Sequence, residues 1–580
     1  MRRSLAALAL LLACQPTQTV APTPADPQVA PAEVNTPAFD EVAAKALDDY
    51  FAARPNAAVE VGLHAYDGKL PDFTADGLKA QVSMAAATIE ALEAFDPKAL
   101  DDVQRAERAA LLTTLEELRF RVEVLREPEK NPMFYVGILD LTPYVSRDYA
   151  PLQQRAEAII AFAEAVPAHL TAAKANLQPA LPRTFIETAL IQARGTASFA
   201  RTDVPAAMKA LPEGPLADRL AKALEGMATA LDGYAGYLDE AKGRASDDFA
   251  LGPEVFARML QTTQGVDVDL GQLEAVIRAD LERNLAAMKA AAAKLSPKKS
   301  MKAAIDKVHA DKPKPSKVIA EATEQSVRMK AFLQEKDLVT IPSDDEALVV
   351  ETPPFMRWNA AFLSSAGVFE TKPLPSFYYI SPPDPSWPKA KQRAYIPDRA
   401  DLLFITIHEV WPGHFLHSLH LQRSDSRVLK ALWNYTTGEG WAHYTEEMMW
   451  DAGFSDDPAI HVGQLQNALL RNVRSLCAIG LHTQGMSVEQ CRQMFVDLAF
   501  QSEGNAEQEA RRGTFDPMYL AYTTGKLVIK KMRADLQAKA EADGVAFDLK
   551  AFHDRVLSYG AAPLSAIRAG LVPDDPGALL

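Results

Sequence analysis

Apolar residues recur at spacings of three and four over residues 39–295, as in AERAALLTTLEELRFRVEVL and QLEAVIRADLERNLAAMKAAAAKL. This period predicts amphipathic helices, each with one buried face. Prolines separate the helices, and no fixed-period repeat is present. The pattern predicts a helical N-terminal lobe over residues 39–336, which includes an exposed Lys/Pro-rich connection at about 296–317.

The pattern changes between residues 337 and 397. The segments DLVTIPSDDEALVVETPPF and PLPSFYYISPPDP carry β-branched and aromatic residues bounded by prolines, which predicts short strands. Helical spacing returns from about residue 399 to the C-terminus. We therefore expect a mainly α fold with a small β-strand island beside a cleft, in a second lobe over residues 337–580.

The first 14 residues, MRRSLAALALLLAC, join two arginines, an apolar run too short to span a bilayer, and a cysteine. Their ending resembles the lipobox of bacterial lipoproteins, so we expect residues 1–14 to be a lipoprotein signal peptide ending at a lipidated Cys14. Residues 15–38, rich in Pro, Thr and Ala, are expected to be a flexible linker. A chance cysteine in an ordinary cleavable signal, or a buried helix, is the alternative.

This N-terminus predicts an exported protein that meets the membrane through a lipid anchor. Gln15, rather than an acidic residue, follows the cysteine, which resembles lipoproteins sorted to the outer membrane. We expect the folded part to face the periplasm or the cell surface.

Charge and cysteine content exclude two classes. With 61 Lys and Arg against 76 Asp and Glu, the formal charge is −15, and no basic stripe bears aromatic residues, so a nucleic-acid partner is not expected. Three cysteines are too few for a disulfide-built scaffold. Cys477 and Cys491 would pair in an oxidising compartment or be two buried thiols, the slightly favoured alternative. The sequence leaves the oligomeric state open.

Five of the 11 histidines fall between residues 408 and 443. The segment ITIHEVWPGHFLH places His408 and Glu409 after an apolar run, and His414 after a Pro-Gly pair. In the ordinary His-Glu-x-x-His helix, two histidines four residues apart share a face and bind zinc, while the glutamate acts as general base. Here the histidines are six apart, which on a regular helix separates them by roughly 240°.

Pro412 changes this geometry. It lacks an N–H and its ring clashes with the carbonyl four residues earlier, so the helix must kink or bulge there. Gly413 permits the unusual dihedral angles that such a break needs. We expect the break to let His408 and His414 converge on one metal ion.

A third ligand should come from another helix. Glu439 is the favoured candidate because it opens EGWAHYTEEMMW, 31 residues after the first histidine, which leaves room for a returning helix. His443, four residues further on the same face, is a rival ligand or a partner that holds a ligand. A lower-ranked alternative combines His414 with two other histidines, His417 and His420. The histidines could instead form a polar seam between helices.

The motifs HEVWPGH and EGWAHYTEE resemble the patterns HE-x-x-PGHH and EGWA-x-Y-x-E of the bacterial family catalogued as domain of unknown function 885, which is grouped with the zincin metallopeptidases and related in pattern to the gluzincins. The likeness extends from about residue 39 to the C-terminus. It implies a zincin-like fold with one zinc ion per chain, held by His408, His414 and Glu439, and Glu409 as the catalytic base. Phe415 stands where the family has a second histidine.

Two further elements resemble the family. GLHTQGMS resembles G-x-H-x-x-GWS, which implies that His482 lies near the site, although Met486 replaces the tryptophan. PMYLAYTTGK resembles PGQ-x-x-x-Y-x-x-G, which implies that Tyr522 donates a hydrogen bond to an oxyanion, although Met518 and Tyr519 replace Gly-Gln. Each side chain could instead be structural.

These features predict a zinc-dependent hydrolase that cleaves peptide bonds with a metal-activated water. Tyr378 and Tyr379 are expected to line a cleft where the strands hold a peptide by edge pairing. Arg511 and Arg512 would bind a substrate carboxylate, which favours carboxypeptidase or dipeptidase action, unless they are surface charges. The alternatives are a noncatalytic metal-containing surface lipoprotein and a zinc hydrolase of a non-peptide amide or ester.

Overall fold

The amphipathic pattern gives a mainly helical structure with a small sheet, as predicted. The computed structural model describes residues 38–353, 356–357, 360–572 and 578–580. The predicted signal peptide, Cys14 and nearly all of the linker lie outside these residues. The helices of the first part are α1 (Phe39–Ala53), α2 (Pro55–Glu60), α3 (Ala75–Glu93), α4 (Asp102–Glu123), α5 (Glu127–Lys130), α6 (Met133–Val136), α7 (Thr142–Ser146), α8 (Leu152–Asn176), α9 (Arg183–Ala207), α10 (Pro215–Ala241), α11 (Pro253–Gln264), α12 (Leu270–Leu295), α13 (Met301–Ala310) and α14 (Val318–Lys336).

The second part begins with three strands and continues as helices. The strands are β1 (Ala347–Glu351), β2 (Ala361–Ser364) and β3 (Ser376–Ile380). The helices are α15 (Lys389–Tyr395), α16 (Arg399–Glu409), α17 (His414–Arg423), α18 (Arg427–Ala431), α19 (Tyr435–Asp451), α20 (Pro458–Thr483), α21 (Val488–Ala499), α22 (Glu503–Phe515), α23 (Ala521–Ala542), α24 (Leu549–Ser558) and α25 (Leu564–Leu571). Short 3₁₀ segments occupy His64–Tyr66, Pro97–Ala99, Lys242–Arg244, Pro315–Lys317 and Pro517–Leu520.

Helices α8, α9 and α10 share a hydrophobic core, in which α10 packs against both of the others. By length and composition α8 is apolar enough to cross a membrane. However, 56% of its most apolar stretch is buried against the rest of the protein, as in the core helix of a globular protein.

A second core joins both halves of the sequence. Helix α12 packs along α20, α14 packs on α16, and α11 and α13 also contact α20. The predicted boundary between residues 336 and 337 therefore does not separate two cores. Helices α12 and α14 thus pack on helices that follow the sheet, whereas α11 contacts both α4 and α20. A periodic pattern does not reveal which partner covers a face.

Helix α13 lies inside the stretch that the sequence predicts to be an exposed connection. The side chain of Ser300 accepts a hydrogen bond from the backbone N–H of Ala303 and caps the helix. Ile305 and Val308, three residues apart, are buried. The prediction was wrong here because lysines and prolines dominate the composition of this stretch, whereas the apolar face of α13 is short.

The predicted strand island forms one sheet with the order β1-β3-β2. Strand β1 pairs with β3 in parallel, and β2 pairs with β3 antiparallel, with Leu363 opposite Tyr378. Strand β2 is therefore an edge strand. It lies against α16, the helix that carries His408.

Two glycines let α19 and α23 approach closely. A Cβ atom on Gly440 would lie 2.5 Å from the Cα atom of Gly525. Side chains that flank these glycines are thereby brought together, since Glu439 precedes Gly440 and Tyr522 lies three residues before Gly525.

The structure pairs Cys477 of α20 with Cys491 of α21 in a disulfide. Their Cα atoms are 5.5 Å apart, which is within the usual range. The favoured sequence prediction of two separate thiols is therefore wrong.

Candidate metal centre

The predicted break between the two motif histidines is present. Helix α16 ends at Glu409, and α17 begins at His414. Between them the carbonyl of Pro412 accepts a hydrogen bond of 2.9 Å from the indole N–H of Trp441, on α19. The chain thus turns at the Pro-Gly pair and is tied there to the helix that carries Glu439.

Gly413 is required at this turn because there is no space for a side chain. Its φ is −75°, so the turn does not need a glycine for a left-handed conformation. A Cβ atom at this position would lie only 1.8 Å from the carbonyl oxygen of His408. A glycine therefore allows α17 to start directly against the end of α16.

Replacing Gly413 with alanine is expected to lower the free energy of unfolding by about 3 kcal/mol, because the added methyl group forces the two helices apart. Denaturant unfolding measures this effect, and zinc content measures whether the histidines still converge. Gly195→Ala is the matched control, because a Cβ atom at this position on α9 would have no neighbour within 4 Å. Equal stability of the two variants would contradict the steric argument.

Three predicted ligands meet at one point. The Nε2 atom of His408 and that of His414 each lie 3.3 Å from the same oxygen, Oε2 of Glu439. The two imidazole rings are nearly perpendicular, with centroids 4.7 Å apart. One ligand atom from each residue lies within 4.8 Å of the others.

The donor set and its spacing suit zinc. Two imidazoles and one carboxylate are a usual zinc ligand set that leaves a fourth position open. Metal–ligand bonds of about 2.0–2.1 Å in a tetrahedron separate the ligand atoms by about 3.3 Å. The two measured separations to Glu439 match this value. Larger cations with six to eight oxygen ligands suit the set less well.

A residue that the sequence analysis missed supports the first ligand. The Nδ1 atom of His408 lies 2.8 Å from Oε1 of Glu446, which is fully buried on α19. The same oxygen lies 3.2 Å from Arg471 and 3.4 Å from Nδ1 of His443. Because Glu446 follows Glu439 by seven residues, the two carboxylates share a helical face, and this spacing was a signal for finding it.

Such a carboxylate fixes the tautomer of a ligating imidazole, so that Nε2 is free to bind the metal. His443 contacts Glu446 and is not part of the three-residue cluster. In this structure it is a partner of Glu446, the carboxylate that supports His408.

The charges of the cluster favour a cation. Burial lowers the pKa of His408, but hydrogen bonds to Glu439 and Glu446 outweigh burial and raise this pKa to about 9. Burial raises the pKa of Glu439, but His414 and His408 outweigh it and hold this pKa well below its usual range. Since a ligating imidazole must be neutral, metal uptake would release the proton from His408.

Replacing Glu446 with glutamine is expected to weaken zinc binding by about 10–100-fold, because His408 loses its charged partner. Competition with a chelator of known affinity at pH 7.5 measures the change. The control is Glu447→Gln, since Glu447 lies next in the sequence but pairs with Lys526, Lys530 and Arg283 instead. Equal zinc affinity in both variants would contradict the supporting role of Glu446.

Tyr522 lies against the cluster. Its ring centroid is 6.1 Å from that of His408 at an angle of 26°. Arg512 donates to the hydroxyl of Tyr435 over 3.2 Å, and Tyr435 donates to the hydroxyl of Tyr522 over 3.4 Å. Burial and the charge of Glu439 raise the pKa of Tyr522. The hydroxyl therefore stays protonated, and its hydrogen is available for another acceptor.

Glu409 lies at the end of α16, beside the edge strand. Its Oε2 atom accepts a hydrogen bond of 3.0 Å from the backbone N–H of Leu363 on β2. In the antiparallel pairing, this N–H points away from β3. The sheet thus holds the predicted base from the open edge of β2.

His482 is not brought to the cluster. It is buried at the end of α20, where Nε2 lies 2.8 Å from the carbonyl oxygen of Gly513 and the ring packs on Phe249 and Phe256. It follows Arg471 by eleven residues, or about 16 Å along the helix. Burial lowers the pKa of His482 to about 4. The structure therefore places His482 in a packed environment and not among the three converging residues.

The two tyrosines predicted to line a cleft also pack inward. Tyr378 is fully buried, with its hydroxyl 3.2 Å from the hydroxyl of Thr406 on α16. Tyr379 points to the other face of β3, is 5% exposed and packs on Phe362 and Phe377. Because both faces of β3 are covered, neither residue offers a substrate-binding surface.

The remaining candidates have other partners. The Nε2 atoms of His417 and His420 lie 3.1 Å and 2.9 Å from the carbonyl oxygens of Gly560 and Thr340, so neither replaces a ligand. Arg511 pairs with Glu187, away from the cluster.

The fold and the site define a mainly helical protein with a three-stranded sheet beside a candidate His-His-Glu metal centre. The family model described as "Bacterial protein of unknown function (DUF885)" matches residues 55–571. The chain belongs to this family, the one that its motifs resemble. No curated protein matches the sequence.

Two solved structures share the fold. One is a candidate lipoprotein of unknown function from Shewanella oneidensis, with a TM-score of 0.77 and 24% identity over 92% of this chain and 99% of that one. The other is a candidate lipoprotein from Colwellia psychrerythraea, with a TM-score of 0.77 and 15% identity over 92% of this chain and 98% of that one. At these identities the likeness concerns the fold alone.

Proposed function

We propose that this protein is a zinc-dependent hydrolase that cleaves peptide bonds. The observation that carries the proposal is the convergence of His408, His414 and Glu439, with both imidazole Nε2 atoms 3.3 Å from one carboxylate oxygen. A set of three protein ligands favours a catalytic role over a purely structural metal, because structural zinc sites have four protein ligands whereas catalytic sites keep one position open. Glu409 directly follows the ligand His408 in the sequence, and the ring of Tyr522 lies 6.1 Å from that of His408.

A zinc ion held by the three residues would polarise the scissile carbonyl and lower the pKa of a bound water towards about 7. Glu409 would take the proton of the attacking water and deliver it to the leaving amine. The hydroxyl of Tyr522 would donate to the oxygen on which negative charge develops. Its donor is free because Tyr435 supplies its own hydrogen to the Tyr522 oxygen.

Two features favour a peptide substrate. A peptide paired along the open edge of β2 would lie beside Glu409, since the outward N–H of Leu363 already reaches this carboxylate. Arg512, which pairs with Asp516 and is joined to Tyr522 through Tyr435, would exchange part of this ion pair for a substrate carboxylate and so favour carboxypeptidase or dipeptidase action.

We also propose that the chain is an exported lipoprotein anchored through Cys14, with its folded part in the periplasm or at the cell surface. The lipobox-like sequence supports this location. The two structures that share the fold are themselves described as candidate lipoproteins.

The test is elemental mass spectrometry on the purified chain without residues 1–37, beside His408→Ala, followed by panels of peptides, esters and non-peptide amides. About one zinc per chain, lost in the variant, together with peptide hydrolysis, is the expected result. Zinc without turnover of any substrate would favour a noncatalytic surface lipoprotein. Turnover of esters or non-peptide amides, without turnover of peptides, would favour a different zinc hydrolase. No zinc after supplementation would refute the metal centre.

A further inference from the structure

An exposed indole lies beside the metal ligands. Trp433 is 46% exposed, and it is the one aromatic among the large hydrophobic side chains exposed in the described residues. Its ring centroid is 5.9 Å from that of His414 and 5.2 Å from that of His417. A large apolar surface therefore faces solvent directly next to a proposed zinc ligand.

The backbone holds this indole in place. Trp433 forms a β-bridge with Ala561, and the neighbouring Asn434 donates its N–H to the carbonyl of Ala561 over 3.1 Å. The side chain of Asn434 then caps α19. A Cβ atom on Gly438 would lie 1.9 Å from the indole ring, so the ring rests on the first turn of α19. An exposed ring that is held this firmly loses little conformational entropy when it binds a ligand.

The indole borders the accessible side of the cluster. The side chains of His414 and Glu439 are each 15% exposed, whereas that of His408 is 6% exposed. Trp433 contacts His414 and covers Gly438, the residue before Glu439. A molecule that reaches the ligands from this side therefore passes the indole.

The exposed part of the indole is a flat surface beside a small cavity. The cavity that adjoins it, lined in part by Leu432 and Pro563, measures about 10 Å³, which is room for a single water molecule. A ligand side chain would therefore lie flat on the ring. Apolar and aromatic groups gain most from such a contact, because they cover apolar area and can stack on the ring.

We propose that Trp433 determines specificity by binding an apolar or aromatic side chain beside the scissile bond, an inference that rests on the proposed peptidase function. A competing explanation is that the indole only orients His414, whose Nδ1 atom has no hydrogen-bond partner among the described residues. The two explanations predict different results, because orientation alone would affect zinc binding and all substrates alike.

The experiment compares the zinc-loaded full chain with Trp433→Ala and Trp433→Phe on peptides that differ only in a Phe, Leu, Ser or Gly next to the cleaved bond. Trp433→Ala should lower kcat/KM for the Phe and Leu peptides by about 10-fold or more, mainly through KM, and leave the Ser and Gly peptides within about twofold. Trp433→Phe should restore most of the preference. An equal loss on all peptides, or weaker zinc binding, would overturn the inference.

The matched control is Trp450→Ala. Trp450 lies on the same helix as Glu439, eleven residues or about 16 Å further along, and stacks on His461 with centroids 4.0 Å apart. The substitution removes a comparable contact between indole and histidine far from the cluster. The substrate preference of this variant should equal that of the wild type.

A binding measurement separates this inference from the proposed function. Hydroxamates of phenylalanine and glycine, which bind zinc without being hydrolysed, are titrated into wild type and Trp433→Ala by calorimetry. If no peptide is hydrolysed, the proposed function fails, yet tighter binding of the phenylalanine probe that disappears in Trp433→Ala still supports the subsite. Equal binding of both probes to the wild type, or no binding, would overturn it. If peptides are hydrolysed but Trp433→Ala keeps the preference, the inference alone fails.

Discussion

Replacing Glu439 with alanine is expected to remove zinc from the chain, whereas replacing His443 with alanine should leave it bound. Glu439 is the one residue whose oxygen lies 3.3 Å from both imidazole Nε2 atoms. His443 instead lies behind the cluster, 3.4 Å from the supporting carboxylate of Glu446. The loss of one of three protein ligands should weaken zinc binding by at least about 100-fold, since about 10–16 kcal/mol is shared by the ligands of a four-ligand site.

Elemental mass spectrometry after dialysis against a weak chelator measures this difference. His443→Ala is a demanding control because both residues lie on one face of α19 and His443 is the more deeply buried. Zinc retention in Glu439→Ala together with loss in His443→Ala would make His443 the third ligand. Thermal unfolding of both variants verifies that neither result reflects loss of the fold.

The sequence predicted which three side chains converge, but not the spatial reason for Gly413. Two histidines six residues apart require a break, and a proline followed by a glycine shows where the break lies. The need for a glycine comes from the carbonyl oxygen of His408, which occupies the position of a side chain. That contact exists only once α16 and α17 have been placed, so no local pattern contains it.

A buried face can be predicted from sequence more readily than the surface that covers it. A period of three and four residues predicts that a face is buried but does not identify its partner, and so it does not reveal that α12, α13 and α14 pack on helices that follow the sheet. Alternation along β3 predicts two faces, but it does not predict that both are covered, which buries Tyr378 and Tyr379. His482 also shows that a sequence pattern does not identify spatial neighbours. Its helix, α20, is near the cluster at Arg471, and His482 lies about 16 Å further along the same helix.

The close approach of α19 and α23 links the site to the core behind it. Lys526 of α23 is fully buried and lies 2.8 Å from Asp280 of α12 and 3.5 Å from Glu447 of α19. Burial raises the pKa of Glu447, but Lys526, Lys530 and Arg283 outweigh it and lower this pKa to about 2. A buried lysine shared by two carboxylates ties three helices in one register, and this register sets the positions of Glu439 and Tyr522.

Replacing Glu409 with glutamine is expected to lower peptide hydrolysis by about 1,000-fold while zinc content stays at one per chain, because general base catalysis contributes about 100- to 10,000-fold. Glutamine is the most informative substitution at this position. Its amide oxygen can still accept the hydrogen bond from the backbone N–H of Leu363, so the contact between α16 and the edge strand is kept. What the variant loses is the ability to take a proton from water.

Steady-state kinetics on the best peptide, with zinc content and unfolding midpoint measured on the same preparation, checks this expectation. A fall in kcat with unchanged zinc and stability is the signature of a lost base. Retained turnover would assign the base to another group, and loss of zinc with activity would mean that Glu409 holds the end of α16 in place. The second outcome has a physical basis in the bond from Leu363, since the strand that would align a peptide also restrains the proposed base. Only if the amide preserves that restraint can the chemistry of Glu409 be separated from its structural role.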